Sequence, residues 1–324
     1  MDVDQRRDHS LRVPRPDLSV KLGTPNACSH CHVSDQLSQM TPDSRERFAS
    51  LEYSQWLLAA EQDADQVVGK NGKTIGELIR ETDQWCDQAC EKWYGPLRKK
   101  TPHFAETLVP LRNGDPGAVK RAIELLAIND ERSPAIAKAT VLEELARRGQ
   151  PELTDVAAQL AEDPDQQAMV RSAAAAALAA AEPSTAKAKL MRLLKDDSRL
   201  VRSSAATALL NSPAAAQLSP SERTQLEFVL KEVRDEMMVS DDRAGAHMAW
   251  AGICEQLGRY GEAIEAYQTA IRVEPNSTGP RTNLAALLEQ LAPQVSPEEA
   301  PALRQQAKKL REAALPLLGR DANL

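Results

Sequence analysis

Three segments of this sequence can be superimposed at offsets of 33 and 31 residues, and that repetition limits the fold more than any other feature. Within each segment the apolar residues recur every four positions, which keeps them on one face of a helix. The second and third segments also share a Val-Arg-Ser sequence that follows an acidic turn. The pattern therefore predicts a stack of amphipathic helices. The superimposed residues are Ala137, Val141 and Leu145, then Val170, Ala174 and Leu178, and then Val201, Ala205 and Leu209.

Prolines divide the chain beyond Gly114 into predicted helices of about 12 to 16 residues each. Proline is tolerated in the first turn of a helix, so each break is interpreted as a short turn followed by a new helix. This part of the chain, residues 115–213, resembles HEAT-type repeats. A set of unrelated amphipathic helices is the alternative. The breaks fall at Asp115-Pro116, Ser133-Pro134, Gln150-Pro151, Asp163-Pro164 and Glu182-Pro183.

A second type of repeat follows, in RAGAHMAWAGICEQLGRYGEAIEAYQTAIRVEPN. It resembles a tetratricopeptide repeat (TPR), although Trp250 stands where a leucine is usual and Cys254 where an aromatic is usual. A degenerate second unit runs from Thr278 to a final helix near residues 297–318. Because two units are few, we expect them to pack against the preceding helices or against a partner. The residues that match the repeat are Leu257, Gly258, Tyr260, Ala263, Tyr267, Ala270 and Pro275.

The charge of the chain limits its partners. The formal net charge is -7, with 40 Lys and Arg against 47 Asp and Glu. Nucleic acids and anionic membranes attract clustered positive charge, so neither is expected as the main partner.

No stretch approaches about 18 consecutive apolar residues, and we expect no transmembrane segment. The first residues, MDVDQRRDHSLRVPRPD, lack the apolar core of a signal peptide, so no export signal is expected in this chain.

The first third of the chain is less regular. Residues 1–27 contain three prolines and show no helical period, so we expect an ordered loop or extended segment there. Asn26 is placed to cap a short helix from Ala27. Apolar residues recur at helical spacing over residues 43–62, and a second long helix is predicted from Thr74 to Tyr94, before a Gly-Pro pair.

The chemistry of the chain is expected at Cys28-Ser29-His30-Cys31-His32, a C-x-x-C-H sequence. Two thiols three positions apart on a helical turn can each reach one vinyl group of a porphyrin, which attaches haem c covalently through thioethers. His32 then lies beneath the iron as the proximal ligand. A zinc half-site is one alternative, but zinc needs four ligands and no second C-x-x-C is present. A redox thiol pair is the other, but it belongs in a strand-rich context that this sequence lacks.

A six-coordinate haem iron needs a second axial ligand. His9 is the preferred candidate, because the 22 residues between it and His32 are enough to loop over the porphyrin edge. His103 is the alternative distal ligand, and Met40 is a more remote one. His30 is poorly placed for its own haem, although it could serve a haem of another chain. Two histidines would give a low-potential carrier, methionine would raise the potential, and an empty position would permit ligand binding.

Residues 6–32, RRDHSLRVPRPDLSVKLGTPNACSHCH, resemble the last haem-binding segment of a family of large bacterial multihaem cytochrome c proteins. In that family a haem-bearing portion precedes HEAT and tetratricopeptide repeats. The likeness continues through WYGPLRKKTPHFAETL, which contains His103, and more loosely through the repeats. Family members usually carry further C-x-x-C-H sites upstream and a secretion signal. The resemblance therefore implies a periplasmic or otherwise exported protein, with Met1 as an internal start or the chain as a fragment.

Other polar and sulfur residues have simpler interpretations open to them. Cys86 and Cys90 are spaced C-x-x-x-C with no histidine after them, so we expect buried packing cysteines and no second haem. Cys254 is expected in the core of the TPR helix, and His247 on a helix face. Surface roles remain open for His9 and His103. Five cations near the motif could neutralise haem propionates or lie solvated at the surface: Arg6, Arg7, Arg12, Arg15 and Lys21.

The sequence thus predicts an all-α protein, in which a haem-binding loop or short helix precedes an α-solenoid of HEAT-like and TPR-like hairpins. The primary expectation is a c-type cytochrome module with one covalent haem that transfers electrons. Its repeats would dock redox partner proteins or an upstream multihaem domain. The predicted divisions are a haem c segment over 1–41, a helical connector over 42–113, HEAT-like repeats over 114–216 and TPR-like repeats over 217–324.

Two alternative functions stay open. One is a protein-interaction scaffold without haem, and the other is a haem enzyme with an open iron position that acts on a small nitrogen or sulfur compound. The chain contains no G-x-x-x-x-G-K loop, no H-E-x-x-H motif and no recognisable Ser-His-Asp arrangement. An electron carrier is therefore expected more than an enzyme.

Overall fold

The computed structural model describes residues 15–22, 72–96, 102–128 and 133–318, together with the single residues 42, 58, 60 and 62. The chain divides into two compact units, Met1–Pro134 and Ala135–Leu324. Helices dominate the described part of both units, as the sequence predicts. None of the described helices is both long enough and apolar enough to cross a bilayer.

The α-helices are numbered here in chain order. The first unit contains α1 (Pro16–Leu22), α2 (Ile75–Tyr94), α3 (Ala105–Arg112) and α4 (Ala118–Leu126). The second unit begins with α5 (Ala135–Arg147), α6 (Leu153–Glu162), α7 (Ala168–Ala177), α8 (Pro183–Leu193) and α9 (Arg199–Leu210). It continues with α10 (Pro220–Met237), α11 (Ala244–Gln256), α12 (Tyr260–Val273), α13 (Gly279–Leu291) and α14 (Ala300–Ala314). Short 3-10 helices cover Leu178–Ala180, Pro213–Gln217, Met238–Ser240, Ala292–Gln294 and Leu315–Leu317.

The bounds of α2 confirm the helix predicted from Thr74 to Tyr94. Its start is a capping box, in which Thr74 Oγ1 accepts from the Glu77 N–H at 3.3 Å and Glu77 Oε2 accepts from the Thr74 N–H at 2.8 Å. Gly95 ends the helix with φ at 77°, a left-handed conformation that glycine adopts without steric cost. The buried face of the helix includes Ile75, Leu78, Ile79, Cys86 and Cys90.

The helix α1 corrects one prediction. A loop or extended segment was expected over residues 1–27, and this is wrong for residues 16–22. Pro16 stands in the first turn, where its missing N–H needs no partner, and Asp17 and Lys21 lie at the helix ends that favour their charges. The helix packs against α2 and α3, and Lys21 forms an ion pair with Glu106 of α3.

Two other predictions in the first unit are only partly covered by the described residues. Of the helix predicted over residues 43–62, Leu58, Ala60 and Gln62 are described, and all three are helical. The predicted cap at Asn26 lies outside the described residues. The boundary between the compact units, at Pro134, falls inside the segment 114–216 that was predicted as HEAT-like.

The superimposed segments of the sequence form one row of adjacent helices in the second unit. α7 packs between α5 and α9, while α6 packs against α7 and α8 against α9. All nine superimposed apolar residues are at most 1% exposed. The four-residue spacing therefore marks the buried face of each helix, as predicted, and alanines such as Ala174 and Ala205 let neighbouring helices approach closely.

A cation at the same position of each segment links every helix of this row to the next element. Two of the three contacts are ion pairs, and the pair of Arg171 and Asp196 is the more buried, with both side chains 14% exposed. Burial also lowers the pKa of the Lys138 ammonium. Since the linking position is constant, the three contacts fix a common register along the row. Lys138 Nζ donates to Gln166 Oε1 at 3.3 Å, Arg171 Nη2 to Asp196 Oδ1 at 2.9 Å, and Arg202 Nε to Glu232 Oε2 of α10 at 2.9 Å.

The helix α10 joins this row to the TPR hairpin. A capping box at its start pairs Ser219 with Glu222. Lys187 Nζ of α8 lies 2.9 Å from Glu222 Oε2. The hydrogen bonds from Lys187 and then from Ser219 lower the pKa of the Glu222 carboxyl from its usual 4.5 to about 2.

The helices α11 and α12 form the hairpin that the TPR pattern predicts. Ala263 and Ala270 are fully buried at the crossing of the two helices. Tyr267 fills the groove beside them, and its O–H donates to Glu255 Oε1 at 2.6 Å. Burial and this carboxylate raise the pKa of Tyr267. The hydroxyl therefore stays protonated and bridges the two helices of the hairpin.

The departures from the TPR consensus are accommodated in the same core. Trp250 and Cys254 are both buried in α11. Burial raises the pKa of the Cys254 thiol to about 11. The degenerate second unit consists of α13 and α14, and its final helix begins at Ala300, slightly later than the residue 297 expected from the sequence.

Candidate functional site

The residues predicted to attach haem lie outside the described residues. This group comprises Cys28, Cys31 and His32, the distal candidate His9, and also His30 and Met40. The described part of the chain contains one predicted iron ligand, the alternative distal residue His103. The haem assignment therefore stays a prediction that rests on the sequence motif.

His103 lies just before α3, and its ring accepts a hydrogen bond from a backbone N–H at the start of that helix. The Nδ1 atom accepts from the Ala105 N–H at 3.2 Å, and the His103 N–H donates to Glu106 Oε1 at 3.3 Å. The ring stacks on Phe104 with centroids 4.3 Å apart. A neutral imidazole whose Nδ1 accepts carries its proton on Nε2, whereas an iron ligand needs a free lone pair on that nitrogen. This arrangement favours the capping role over the role of distal ligand.

Two of the five cations predicted near the propionates are described, and both hold carboxylates. Arg15 contacts Asp17 through Nε and Nη2, each at 2.9 Å. Lys21 pairs with Glu106, and its hydrogen bond, followed by that from the His103 N–H, lowers the pKa of the Glu106 carboxyl. Within the first unit the pair of Lys21 and Glu106 ties α1 to α3, whereas Arg15 and Asp17 pair locally at the start of α1. The other three, Arg6, Arg7 and Arg12, lie outside the described residues.

The described cysteines confirm the packing prediction. Cys86 and Cys90 lie on the buried face of α2, and Cys254 lies in the core of α11. Among the described residues, no three His, Cys, Asp or Glu side chains form a group that could hold a metal ion. His247 lies on a face of α11, where its Nε2 is 2.8 Å from the Asp241 carbonyl oxygen.

An exposed row of apolar side chains crosses the HEAT-like helices. Ile136, Met169 and Leu200 are 57%, 43% and 45% exposed, and each is the second residue of its helix in the row α5, α7, α9. Single exposed apolar residues are ordinary, but these three share one register of adjacent helices. We call these three residues the apolar ladder.

The ladder was missed by the sequence interpretation, although the pattern contains it. Each ladder residue comes directly before the first superimposed residue of its segment. The residues with a spacing of four, on which the prediction rests, are the buried ones. An apolar residue just before that series, repeated in all three segments, is the feature that could have revealed the ladder.

Exposed carboxylates lie in the turns that precede two of the ladder helices. Asp165 stands in the turn before α7 and Asp197 in the turn before α9. Within the part of the chain that the structure describes, neither side chain forms an ion pair, unlike Asp196, which binds Arg171. Arg202 Nη1 donates to the backbone carbonyl of Asp197 at 3.0 Å, which fixes this turn and leaves the carboxylate exposed. The turns before α7 and α9 therefore each carry one exposed carboxylate, and Lys195 is an exposed cation in the second of these turns.

A cleft of about 480 Å³ is lined by the end of α9, the segment after it, α10 and the turn that follows α11. Leu210, Leu226 and Leu257 contribute to its apolar lining. Its two arginines are engaged: Arg259 Nη2 donates to Glu227 at 2.9 Å, and Arg223 Nε donates to a backbone carbonyl at 3.2 Å.

Comparison with known families identifies both types of repeat. Residues 122–210 match the model of HEAT repeats, and residues 244–277 match that of the tetratricopeptide repeat. These ranges contain the superimposed segments and the TPR pattern, so the repeat part of the interpretation is confirmed. Neither range includes the C-x-x-C-H motif. No curated protein and no solved structure matched the chain.

Proposed function

We propose that this chain is a protein-docking scaffold whose HEAT-like and TPR repeats bind a partner protein on their exposed helix faces. The observation that carries the proposal is the common register of α5, α7 and α9, which cations at equivalent positions link to the following elements. Repeats that stack in register present an extended, continuous surface, and such surfaces are what repeat proteins use for binding.

The repeat helices are already held in place before a partner binds. Helices that are held by buried apolar faces and inter-repeat ion pairs do not need to be ordered when a partner arrives. A preorganised surface therefore loses less conformational entropy on binding than a flexible one. The TPR hairpin adds a second preorganised element, with Tyr267 bonded across its two helices. This combination suits a docking role.

A peptide-display selection tests the proposal directly. The full chain is the target, and an unrelated all-α protein of similar charge removes non-specific binders. We expect related peptide sequences to be enriched and to slow amide hydrogen exchange within residues 133–318. A selection that yields no binder, or only binders that protect residues outside that range, contradicts the docking function.

We also propose that the N-terminal segment binds one haem c covalently and carries electrons. The observation in favour is the C-x-x-C-H motif, in which Cys28 and Cys31 would form the thioethers and His32 would be the proximal ligand. His9 is the proposed distal ligand, since His103 caps α3. A bound haem would supply one-electron redox chemistry. The repeats would then dock a redox partner protein or an upstream multihaem domain, in the periplasm or another exported location.

Haem retention on a denaturing gel tests this second proposal. The full chain is expressed with an added export signal and haem-attachment machinery. We expect the wild type and a Cys86→Ala, Cys90→Ala control to retain haem, and a Cys28→Ala, Cys31→Ala variant to lose it. Retention by that last variant, or a colourless wild type, contradicts covalent attachment. His9→Ala should change the low-spin absorption spectrum, whereas His103→Ala should leave it unchanged.

A further inference from the structure

We infer that the cleft at the junction of the HEAT-like and TPR repeats binds a partner segment in which an acidic residue adjoins an aliphatic one. Arg223 binds the carboxylate, and the apolar lining takes the aliphatic side chain. The inference rests on the proposed docking function and names the surface and the class of partner segment. We call this site the junction cleft; its lining comes from residues 210–218, residues 223–227 of α10 and residues 256–259.

The walls of the junction cleft are tied together by hydrogen bonds between side chains. Gln256 Nε2, at the end of α11, donates to Asn211 Oδ1, just after α9, at 3.1 Å. Arg259 Nη2, just before α12, donates to Glu227 Oε1 of α10 at 2.9 Å. The volume of about 480 Å³ falls in the range of about 300–1,000 Å³ that is usual for ligand-binding clefts. The walls therefore need little ordering when a partner binds.

Apolar residues of the lining adjoin Arg223. Leu226 follows it by three residues on α10, so the two side chains are neighbours on one face of the helix. Leu218, whose carbonyl oxygen accepts from Arg223 Nε at 3.2 Å, also lines the cleft. Leu218 and Leu226 are buried, whereas Leu210 and Leu257 are half-buried. The half-buried leucines keep apolar surface open to an incoming aliphatic side chain.

Arg223 is the cation of the lining that pairs with no carboxylate among the described residues. Its side chain is exposed, and the hydrogen bond from Nε fixes the plane of the guanidinium. Both terminal NH₂ groups stay available as donors. A carboxylate can accept from this pair through its two oxygens, a geometry that favours an acidic group over other acceptors.

The carboxylates nearest in sequence to this arginine have other cations beside them. Glu227, one turn further along α10, binds Arg259, which also lies 3.9 Å from Glu262. Glu222 lies 2.9 Å from Lys187 Nζ. The lining itself has one more cation than anion. The whole chain carries a net charge of -7, but screening acts over about 8 Å at physiological salt, so the groups in the cleft dominate the attraction.

Synthetic peptides provide the first test. The probe is the blocked peptide Ser-Leu-Glu-Leu-Ser, in which an aliphatic side chain adjoins the carboxylate on either side. It is titrated at physiological salt against the full, isotope-labelled chain, and NMR chemical shifts report binding. We expect it to bind at least about fivefold more tightly than Ser-Leu-Gln-Leu-Ser, which lacks the charge, or Ser-Ser-Glu-Ser-Ser, which lacks the aliphatic groups. Failure of the probe to bind, or equal binding of either comparison peptide, overturns the proposal.

Variants of the arginine provide the second test. Arg223→Gln should weaken binding of the probe at least about fivefold, because it removes the charge and the paired donors. The control, Arg304→Gln, makes the same change at an exposed arginine of α14 and should leave the affinity unchanged. Arg223→Glu should reverse the preference, so that Ser-Leu-Lys-Leu-Ser binds more tightly than the probe. These side chains are exposed, so all three variants should keep the circular dichroism of the wild type. Equal affinities of the two glutamine variants, or an unchanged preference in Arg223→Glu, overturn the role of Arg223.

A variant that fills the cleft tests the apolar part of the site. Ala216 is exposed and lines the cleft, so Ala216→Trp should weaken binding of the probe at least about fivefold. Ala313→Trp adds the same side chain at an exposed alanine of α14 and should change nothing. Equal affinities of the two tryptophan variants overturn the placement of the peptide in the cleft.

Peptides from the display selection separate this inference from the docking function. If they protect residues 133–318 but bind Arg223→Gln and Ala216→Trp as tightly as the wild type, docking stands and the junction cleft is not the site. If no peptide is selected, the docking function itself fails.

Discussion

The ion pair between Arg171 and Asp196 should contribute more to stability than an exposed pair of similar geometry. The comparison is with Arg147 and Glu143, whose charged atoms are 3.0 Å apart against 2.9 Å for the first pair. Both side chains of the first pair are 14% exposed, whereas those of the second are 61% and 70% exposed. The first pair connects α7 to the turn before α9, whereas both residues of the second pair lie on α5.

The magnitude follows from the burial of the pair. Exposed helix pairs contribute about 0.3–0.5 kcal/mol. Hydrogen bonds to charged groups away from water contribute about 1.5–3 kcal/mol, and desolvation offsets part of this gain. Arg171 Nε is buried without a hydrogen-bond partner, which places the net value near the lower limit. We therefore expect a coupling free energy of about 1.5 kcal/mol for the buried pair against about 0.4 kcal/mol for the exposed pair.

Double-mutant cycles measured by urea unfolding give both coupling energies. Each cycle uses the wild type, the two single alanine variants and the double variant. Unfolding is monitored by circular dichroism, and the curves are fitted with one shared m value. Asp196→Ala alone should cost about 1 kcal/mol more than Arg171→Ala, because Asp196 Oδ1 also accepts from the Ser198 N–H at the start of α9. A coupling for the buried pair no larger than that of the exposed pair would refute the argument that these cations hold the row in register.

Three further changes test other parts of the fold. The carboxylate of Glu222, with its pKa lowered to about 2, stabilises the fold above pH 4.5, and this contribution is lost as the pH falls from 4.5 towards 2. Acid unfolding by circular dichroism should therefore be steeper in this window for the wild type than for Glu222→Gln; identical curves would contradict the lowered pKa. Tyr267→Phe removes the donor to Glu255 and should lower the free energy of unfolding by about 1–2 kcal/mol in thermal denaturation, and no loss would argue against that hydrogen bond. Leu209→Ala, in the core, should cost about 2–5 kcal/mol in urea unfolding, whereas Leu200→Ala, on the ladder, should cost less than about 0.5 kcal/mol. Similar costs for the two leucines would mean that core and surface are wrongly assigned.

The elements that were predicted correctly are those whose ends and faces are encoded locally. α2 begins at a Thr-x-x-Glu capping box and ends at Gly95, and both signals are readable from residue types alone. The HEAT-like helices have a four-residue apolar spacing because each must bury one face against its neighbours. The TPR hairpin was recognisable from Ala263 and Ala270, since only small side chains fit where its helices cross.

What the sequence could not supply depends on contacts between distant segments. The helix α1 has only seven residues, which are too few to show a helical period, and two prolines stand near its start. Its packing against α2 and α3 stabilises it. The capping role of His103 is a local contact that depends on where α3 begins, because it requires the Ala105 N–H to point at the ring. The repeat of the ladder residues is present in the sequence, but their exposure depends on how the row of helices packs.

The burial of the described cysteines bears on the proposed haem attachment. The chain has five, of which Cys86, Cys90 and Cys254 are buried in helices. The thiolate is the reactive form of cysteine, and burial raises the pKa of the Cys254 thiol to about 11, so this thiol is protected by both access and protonation. Three buried thiols would not compete with Cys28 and Cys31 for a porphyrin or form disulfides in an oxidising compartment. The described cysteines are therefore compatible with the proposed haem attachment at Cys28 and Cys31.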